Sequence, residues 1–208
     1  MADLFNTPEL HVRQLSSQLD FEYSDAEGEL LAKATQVSGP RPKGGALAWF
    51  AGSPLKGELS LQVTAPDGAP LFGVHRFEGR QRPVVLTAPD GTEIGRRLLD
   101  AQASAQSMLE GWGTTGHHRF QDFEDLLDPQ GNRLCRIAWE AVRTGTDAAR
   151  GGRYCLFLDQ QGDELARVDR DEATFYKDRY KLTLRRPLPE PLRTLVIASP
   201  LATDLDRT

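Results

Sequence analysis

Two cysteines and two methionines in 208 residues leave this chain poor in sulfur. Two cysteines are too few for the disulfide framework of a small secreted scaffold. Cys135 and Cys155 stand twenty residues apart with no histidine or cysteine beside them, which argues against a zinc site or a redox pair and for small buried hydrophobes. Long hydrophobic runs are missing too: no apolar stretch approaches the ~20 residues a membrane-spanning helix needs. The opening MADLFNTPEL has neither a basic nor an apolar segment, so no signal peptide is expected and the setting is read as cytoplasmic. Lysine is scarce, with 5 against 20 arginines, and the formal charge is −5. An acidic total without a uniformly basic face makes duplex nucleic acid a poor partner. The motifs G-x-S-x-G, H-E-x-x-H and G-x-x-x-x-G-K-S/T do not occur, so the sequence implies no enzyme chemistry, no cofactor and no metal. With 39% hydrophobic and 26% charged residues, the expectation is one folded domain over residues 1–208.

What is present is a repeated turn. Asp25-Ala26-Glu27-Gly28, Ala65-Pro66-Asp67-Gly68, Ala88-Pro89-Asp90-Gly91, Asp128-Pro129-Gln130-Gly131 and Asp159-Gln160-Gln161-Gly162 share one plan. Proline in second place suits a type I turn, aspartate in first place can bond the turn's own amides, and the closing glycine can take the positive φ of a bulge. Three residues beyond each glycine stands an aliphatic: Leu31, Leu71, Ile94, Leu134 and Leu165. Strand formers precede the turns, as in Leu59–Val63, Val84–Leu86 and Tyr154–Leu158. Five β-hairpins follow. The glycines are spaced 40, 23, 40 and 31 residues apart, too irregular for a solenoid or propeller. Ten strands in an open sheet would leave exposed edges, so closure into an antiparallel barrel is expected.

Residues 38–45 and 144–153 read as loops from their Gly, Pro and polar content. Within 100–118, AQASAQSMLEG predicts a short helix and GWGTTGHH a loop after it. The last element differs: from Pro191 to Leu205 apolar side chains run almost all round the helical wheel, the pattern of a helix enclosed by protein. At about 22 Å (~1.5 Å per residue) it is too short to cross a bilayer. Pro200 predicts that this helix kinks there or stops near Ser199.

The opening Pro8-Glu9-Leu10-His11-Val12-Arg13-Gln14, the turns Asp25–Gly28 and Asp128–Asn132, and the ending Pro191-Leu192-Arg193-Thr194-Leu195-Val196-Ile197-Ala198 together resemble the LURP-one-related and phospholipid scramblase proteins, over about Phe5 to Asp204. The resemblance implies a fold similar to the C-terminal domain of tubby: a closed barrel of about twelve strands around a central hydrophobic C-terminal α-helix. It also implies a non-enzymatic domain that recognises phospholipid head groups or acts at the cytoplasmic membrane surface. This chain lacks the cysteine cluster of the animal scramblases, and its D-x-x-G turns have too few oxygen ligands for Ca²⁺, so calcium-driven scrambling is not expected.

One stretch stands out as a candidate site. Residues 167–186 hold seven basic and four acidic side chains, a local +3 in an acidic protein. In Arg179-Tyr180-Lys181-Leu182-Thr183-Leu184-Arg185, period-2 alternation puts Tyr180, Leu182 and Leu184 on one face and Arg179, Lys181 and Arg185 on the other, with Arg186 following. Such a row could grip the phosphates of an anionic phospholipid; it is equally the pattern of an ordinary solvated strand face. The other reading of function is a soluble protein-interaction or scaffolding domain without lipid affinity, in which loops 38–45 and 144–153 contact a protein partner. His117-His118 lack further ligands at metal spacing and read as loop residues. Trp49, Trp112 and Trp139 raise a pocket at one barrel end, which a central helix would fill. Arg193, on that helix, must pair with an acidic side chain or with backbone carbonyls near an end.

Overall fold

The computed structural model describes residues 3–15, 19–40, 57–78, 83–112, 121–140, 153–173 and 177–207. Its strands are β1 (Glu9–Gln14), β2 (Phe21–Ser24), β3 (Leu30–Ser38), β4 (Leu59–Thr64), β5 (Pro70–Arg76), β6 (Val84–Thr87), β7 (Glu93–Leu99), β8 (Gln121–Leu127), β9 (Arg133–Glu140), β10 (Arg153–Leu158), β11 (Glu164–Ala173) and β12 (Lys177–Leu184). Helix α1 (Ala101–Trp112) lies between β7 and β8, and α2 (Leu192–Arg207) follows β12. Each strand pairs with its neighbours in sequence, and β1 pairs antiparallel with β12 to close a twelve-stranded barrel.

All five repeated turns join strands as the sequence predicts: β2–β3, β4–β5, β6–β7, β8–β9 and β10–β11. In each, the glycine N–H donates to the carbonyl three residues back, and the first residue's N–H donates to the carbonyl four residues on. The five closing glycines have φ between +87° and +89°, and a register shift marks a bulge beside every turn. Aspartate acts as expected where it opens the turn: Asp25, Asp128 and Asp159 each accept from a downstream amide at 2.7–2.9 Å. Because alternate connections share this geometry, the five turns form one rim of the barrel.

A barrel of about eight strands can be filled by its own side chains; twelve enclose more space than the wall alone fills. Helix α2 fills it. Leu195, Val196, Ile197, Ala198, Leu201 and Leu205 are all at most 1% exposed and join one core with the inward residues of the wall, such as Leu61, Phe72, Phe157 and Leu182. Each large aliphatic so buried contributes about 1.5–3 kcal/mol as an upper figure. Gly95 of β7 lets the helix come close: a Cβ there would lie 2.4 Å from the Leu127 carbonyl oxygen and 3.0 Å from Leu195 Cδ1.

Of the two outcomes expected at Pro200, a kink or a stop near Ser199, the stop does not occur. Helix α2 continues through Pro200 to Arg207. Proline removes the N–H that would serve the Val196 carbonyl, but the enclosed helix gains partners on both sides of that gap. Tyr23 Oη donates to the Ile197 carbonyl at 3.1 Å, Ser199 Oγ to the Leu195 carbonyl at 2.9 Å and Thr203 Oγ1 to the Ser199 carbonyl at 2.9 Å. Contacts from all round outweigh the propensity loss of one proline. Two loop limits also shift by residues that the ladder captures: Ser38 and Arg153 belong to β3 and β10. The remainder of the loops 38–45 and 144–153 beyond Pro40 and before Arg153, together with Trp49, His117 and His118, lies outside the described residues.

Buried charge anchors the helix. Arg97, 4% exposed, forks onto Glu124 at 2.6 and 2.8 Å and donates to the Ser199 carbonyl at 3.2 Å and to Thr203 Oγ1 at 2.9 Å. Arg76, 2% exposed, donates to the Leu205 carbonyl at 2.5 Å and the Gly57 carbonyl at 2.9 Å. A cation at the C-terminal end of a helix also meets the favourable end of its dipole. Arg193 finds the partners expected of it: Nε donates to the Leu188 carbonyl at 2.9 Å and lies 3.4 Å from Glu190, and Nη1 donates to the Phe5 carbonyl at 3.3 Å.

Candidate functional site

The alternation in β12 holds. Tyr180 and Leu182 are buried, Leu184 is half-buried, and Arg179, Lys181 and Arg185 are exposed on the outer wall, with Arg186 exposed just beyond. Three of these four cations are tied to carboxylates of neighbouring elements. Lys181 Nζ lies 2.8 Å from Glu9, Arg185 Nε 2.7 Å from Glu164, and Arg186 Nη2 3.0 Å from Asp159. Lys181 and His11 both bond Glu9 and hold its carboxyl below the usual range. Arg179 makes no ion pair or hydrogen bond among the described residues, and Asp171 of β11 lies opposite it in register.

Closure brings a second strand to these residues. In β1, Leu10 and Val12 point into the core, so Glu9, His11 and Arg13 line the outer wall. The β1–β12 register sets His11 directly opposite Lys181 and Arg13 directly opposite Arg179. Four basic groups therefore occupy a two-by-two block on adjacent strands. Arg13 Nη2 lies 3.1 Å from Glu22, which is also 3.9 Å from Lys33 Nζ. A groove of about 410 Å³ runs beside three of these four, lined by His11, Arg13, Glu22, Ser24, Leu30 and Arg179 among others.

The sequence places Arg179 and Lys181 correctly but gives no hint of His11 and Arg13 as their neighbours. The outward alternation of β1 was readable; its pairing with a strand some 170 residues away was not, because only closure creates it.

The turns differ from the wall in charge. The five four-residue turns carry Asp25, Glu27, Asp67, Asp90, Asp128 and Asp159 and neither lysine nor arginine. Asp90 and Asp128 have their carboxyls lowered by hydrogen bonds from in and beside their own turns, and Asp159 by such bonds together with the Arg186 guanidinium at 3.0 Å. A cleft of about 500 Å³ opens at the same rim where α2 begins, with Ile94, Pro129, Leu134 and Pro191 among its apolar lining and Glu93, Asp128 and Glu190 on it.

No arrangement among the described residues resembles a reacting centre. No group of three or more His, Cys, Asp or Glu side chains there could hold a metal. Cys135 and Cys155 are buried in β9 and β10; burial pushes the Cys135 thiol up to about 12 and the Cys155 thiol higher, so neither supplies a thiolate nucleophile. His75 sits half-buried on the outer wall between Ser60 Oγ and Thr87 Oγ1, each at 2.9 Å, and burial lowers its pKa. Trp139 donates its indole N–H to Glu124 at 3.0 Å, which gives it a place in the wall instead of a pocket. No helix described is long and apolar enough to cross a membrane. Comparison of the chain with family models, curated proteins and solved structures gave no match.

Proposed function

We propose that this is a non-enzymatic barrel domain, of the LURP-one-related and scramblase-like kind, that acts peripherally at an anionic phospholipid surface on the cytoplasmic side. The observation that carries the reading is the block of basic side chains that barrel closure sets side by side on β1 and β12, on a barrel with an occupied lumen. With α2 inside, binding falls to the outer surface. There the β12–β1 wall presents Arg13, Arg179, Lys181 and Arg185, while the five turns contribute six carboxylates and no cation of their own, Arg186 reaching Asp159 from beyond β12. An anionic surface attracts the first and repels the second, at about 1 kcal/mol per cation near the surface. The domain then lies on its β12–β1 wall with the turn rim directed to water.

The test is co-sedimentation with phosphatidylglycerol-containing vesicles at low salt. Wild type pellets, added salt releases it, and an Arg179→Glu/Lys181→Glu/Arg185→Glu variant stays in solution. Equal pelleting of the two removes the wall as a membrane site. The ion pairs of Lys181, Arg185 and Arg186 favour a second reading, a protein-interaction domain without lipid affinity. The exposed Leu99, at the end of β7, and Leu109, on α1, add apolar surface to it. In that case vesicles pellet neither protein.

A further inference from the structure

We infer that the groove over the β1–β12 seam is a seat for one phosphate monoester group, held between Arg13 and Arg179. The inference rests on the reading of this wall as an anion-facing surface and adds its ligand chemistry and a residue outside the basic stretch. Directly opposed residues on antiparallel strands have Cα atoms roughly 4.5–5.5 Å apart, and like charges so placed destabilise the pair. The seam does this with Arg13 against Arg179, and sets His11 against Lys181 beside them.

Local carboxylates answer only part of this charge. Glu9 is taken by Lys181 and His11, and Glu22 is shared between Arg13 and Lys33. Asp169, opposite Lys181 in register, is held by the Arg167 fork at 2.6–3.0 Å. Arg13 and Arg179 both line the groove together with Ser24 and Glu22, the carboxylate that takes one Nη of Arg13 at 3.1 Å. Two planar guanidinium forks facing one space match the oxygens of a tetrahedral dianion, each fork able to donate two parallel N–H bonds. A monoester or inorganic phosphate offers three terminal oxygens to such a pair; a diester offers two.

The test has two arms on the full chain. In the first, inorganic phosphate is titrated at constant ionic strength while the arginine Nε–Hε NMR signals are followed. Phosphate is expected to move the Arg13 and Arg179 signals, and Arg13→Gln/Arg179→Gln to weaken binding at least tenfold. In the second, vesicles carrying phosphatidic acid, a monoester, are compared with vesicles carrying phosphatidylglycerol, a diester. Wild type is expected to prefer the first, and the double variant to lose that preference. Arg13→Lys/Arg179→Lys, which keeps the charge and removes the forks, serves as the second variant and should lose the preference while still pelleting. Phosphate that leaves both arginine signals unmoved, or binds wild type and the Gln variant equally, overturns the seat, even where vesicles still pellet through Lys181 and Arg185. Phosphate bound at the seam without any pelleting supports the seat with free phosphate as the source and ends the membrane reading instead.

Discussion

Tyr23 of β2 donates its hydroxyl to the Ile197 carbonyl of α2 at 3.1 Å, beside the Val196 carbonyl that Pro200 leaves without its helical N–H. The wall of the barrel therefore supports its central helix where the helix is weakest. Both residues are fully buried, so deleting the hydroxyl removes a second donor from a carbonyl beside the proline gap. Tyr23→Phe is expected to destabilise the domain by about 1–3 kcal/mol, read as a lower urea midpoint with an unchanged slope.

A larger effect is expected at Arg97. Its guanidinium joins Glu124 on β8 to the Ser199 carbonyl and Thr203 hydroxyl of α2, with both charged side chains largely out of water. Arg97→Met leaves Glu124 with the Trp139 indole as its remaining described donor and should cost about 3–5 kcal/mol. Changing Glu124→Met as well removes the stranded charge and should recover part of that loss. Chemical denaturation of the single and double variants gives the coupling.

Gly95 tests how closely helix and wall approach. An added methyl group would press on the Leu127 backbone carbonyl, which cannot turn away as a flexible side chain could. Gly95→Ala is expected to lower stability by about 1–3 kcal/mol through overpacking. Gly28→Ala, where a Cβ meets open space, probes only the positive φ of the turn and serves as the comparison.

Much of this architecture is local and was legible for that reason. Each of the five four-residue turns carries its own hydrogen bonds, so together they announced ten strands with their bulges. The apolar circumference of Leu192 to Leu205 announced enclosure, and α1 lies where AQASAQSMLEG predicts it. The helix does not stop at Pro200 because propensity weighs a helix by itself, whereas here Tyr23, Ser199 and Thr203 supply partners from a wall and side chains that propensity does not count. The sequence does not single out Arg76 and Arg97; their burial and their bonds to α2 appear only once the helix is seen inside the barrel. The candidate seam was half legible. Alternation gave Arg179 and Lys181, but Arg13 and His11 reach them across the one pairing that joins the two ends of the barrel.

The two thiols offer a check on closure that needs no mutation. Both are buried and their ionisation is pushed far above neutrality, so the native protein should leave them unlabelled by a thiol reagent at neutral pH. Labelling of both should appear only with unfolding. Rapid labelling of native protein would mean that the β9–β10 region opens readily.

Inert native thiols also permit one introduced cysteine to report orientation. A nitroxide attached at Thr183→Cys, on the outer wall between Lys181 and Arg185, is compared with one at Asp67→Cys in the acidic turn rim, both bound to anionic vesicles. The account predicts that the label at 183 is shielded from a water-soluble paramagnetic collider while the label at 67 stays fully accessible. Equal accessibility at the two positions, or shielding at 67 in place of 183, would contradict it.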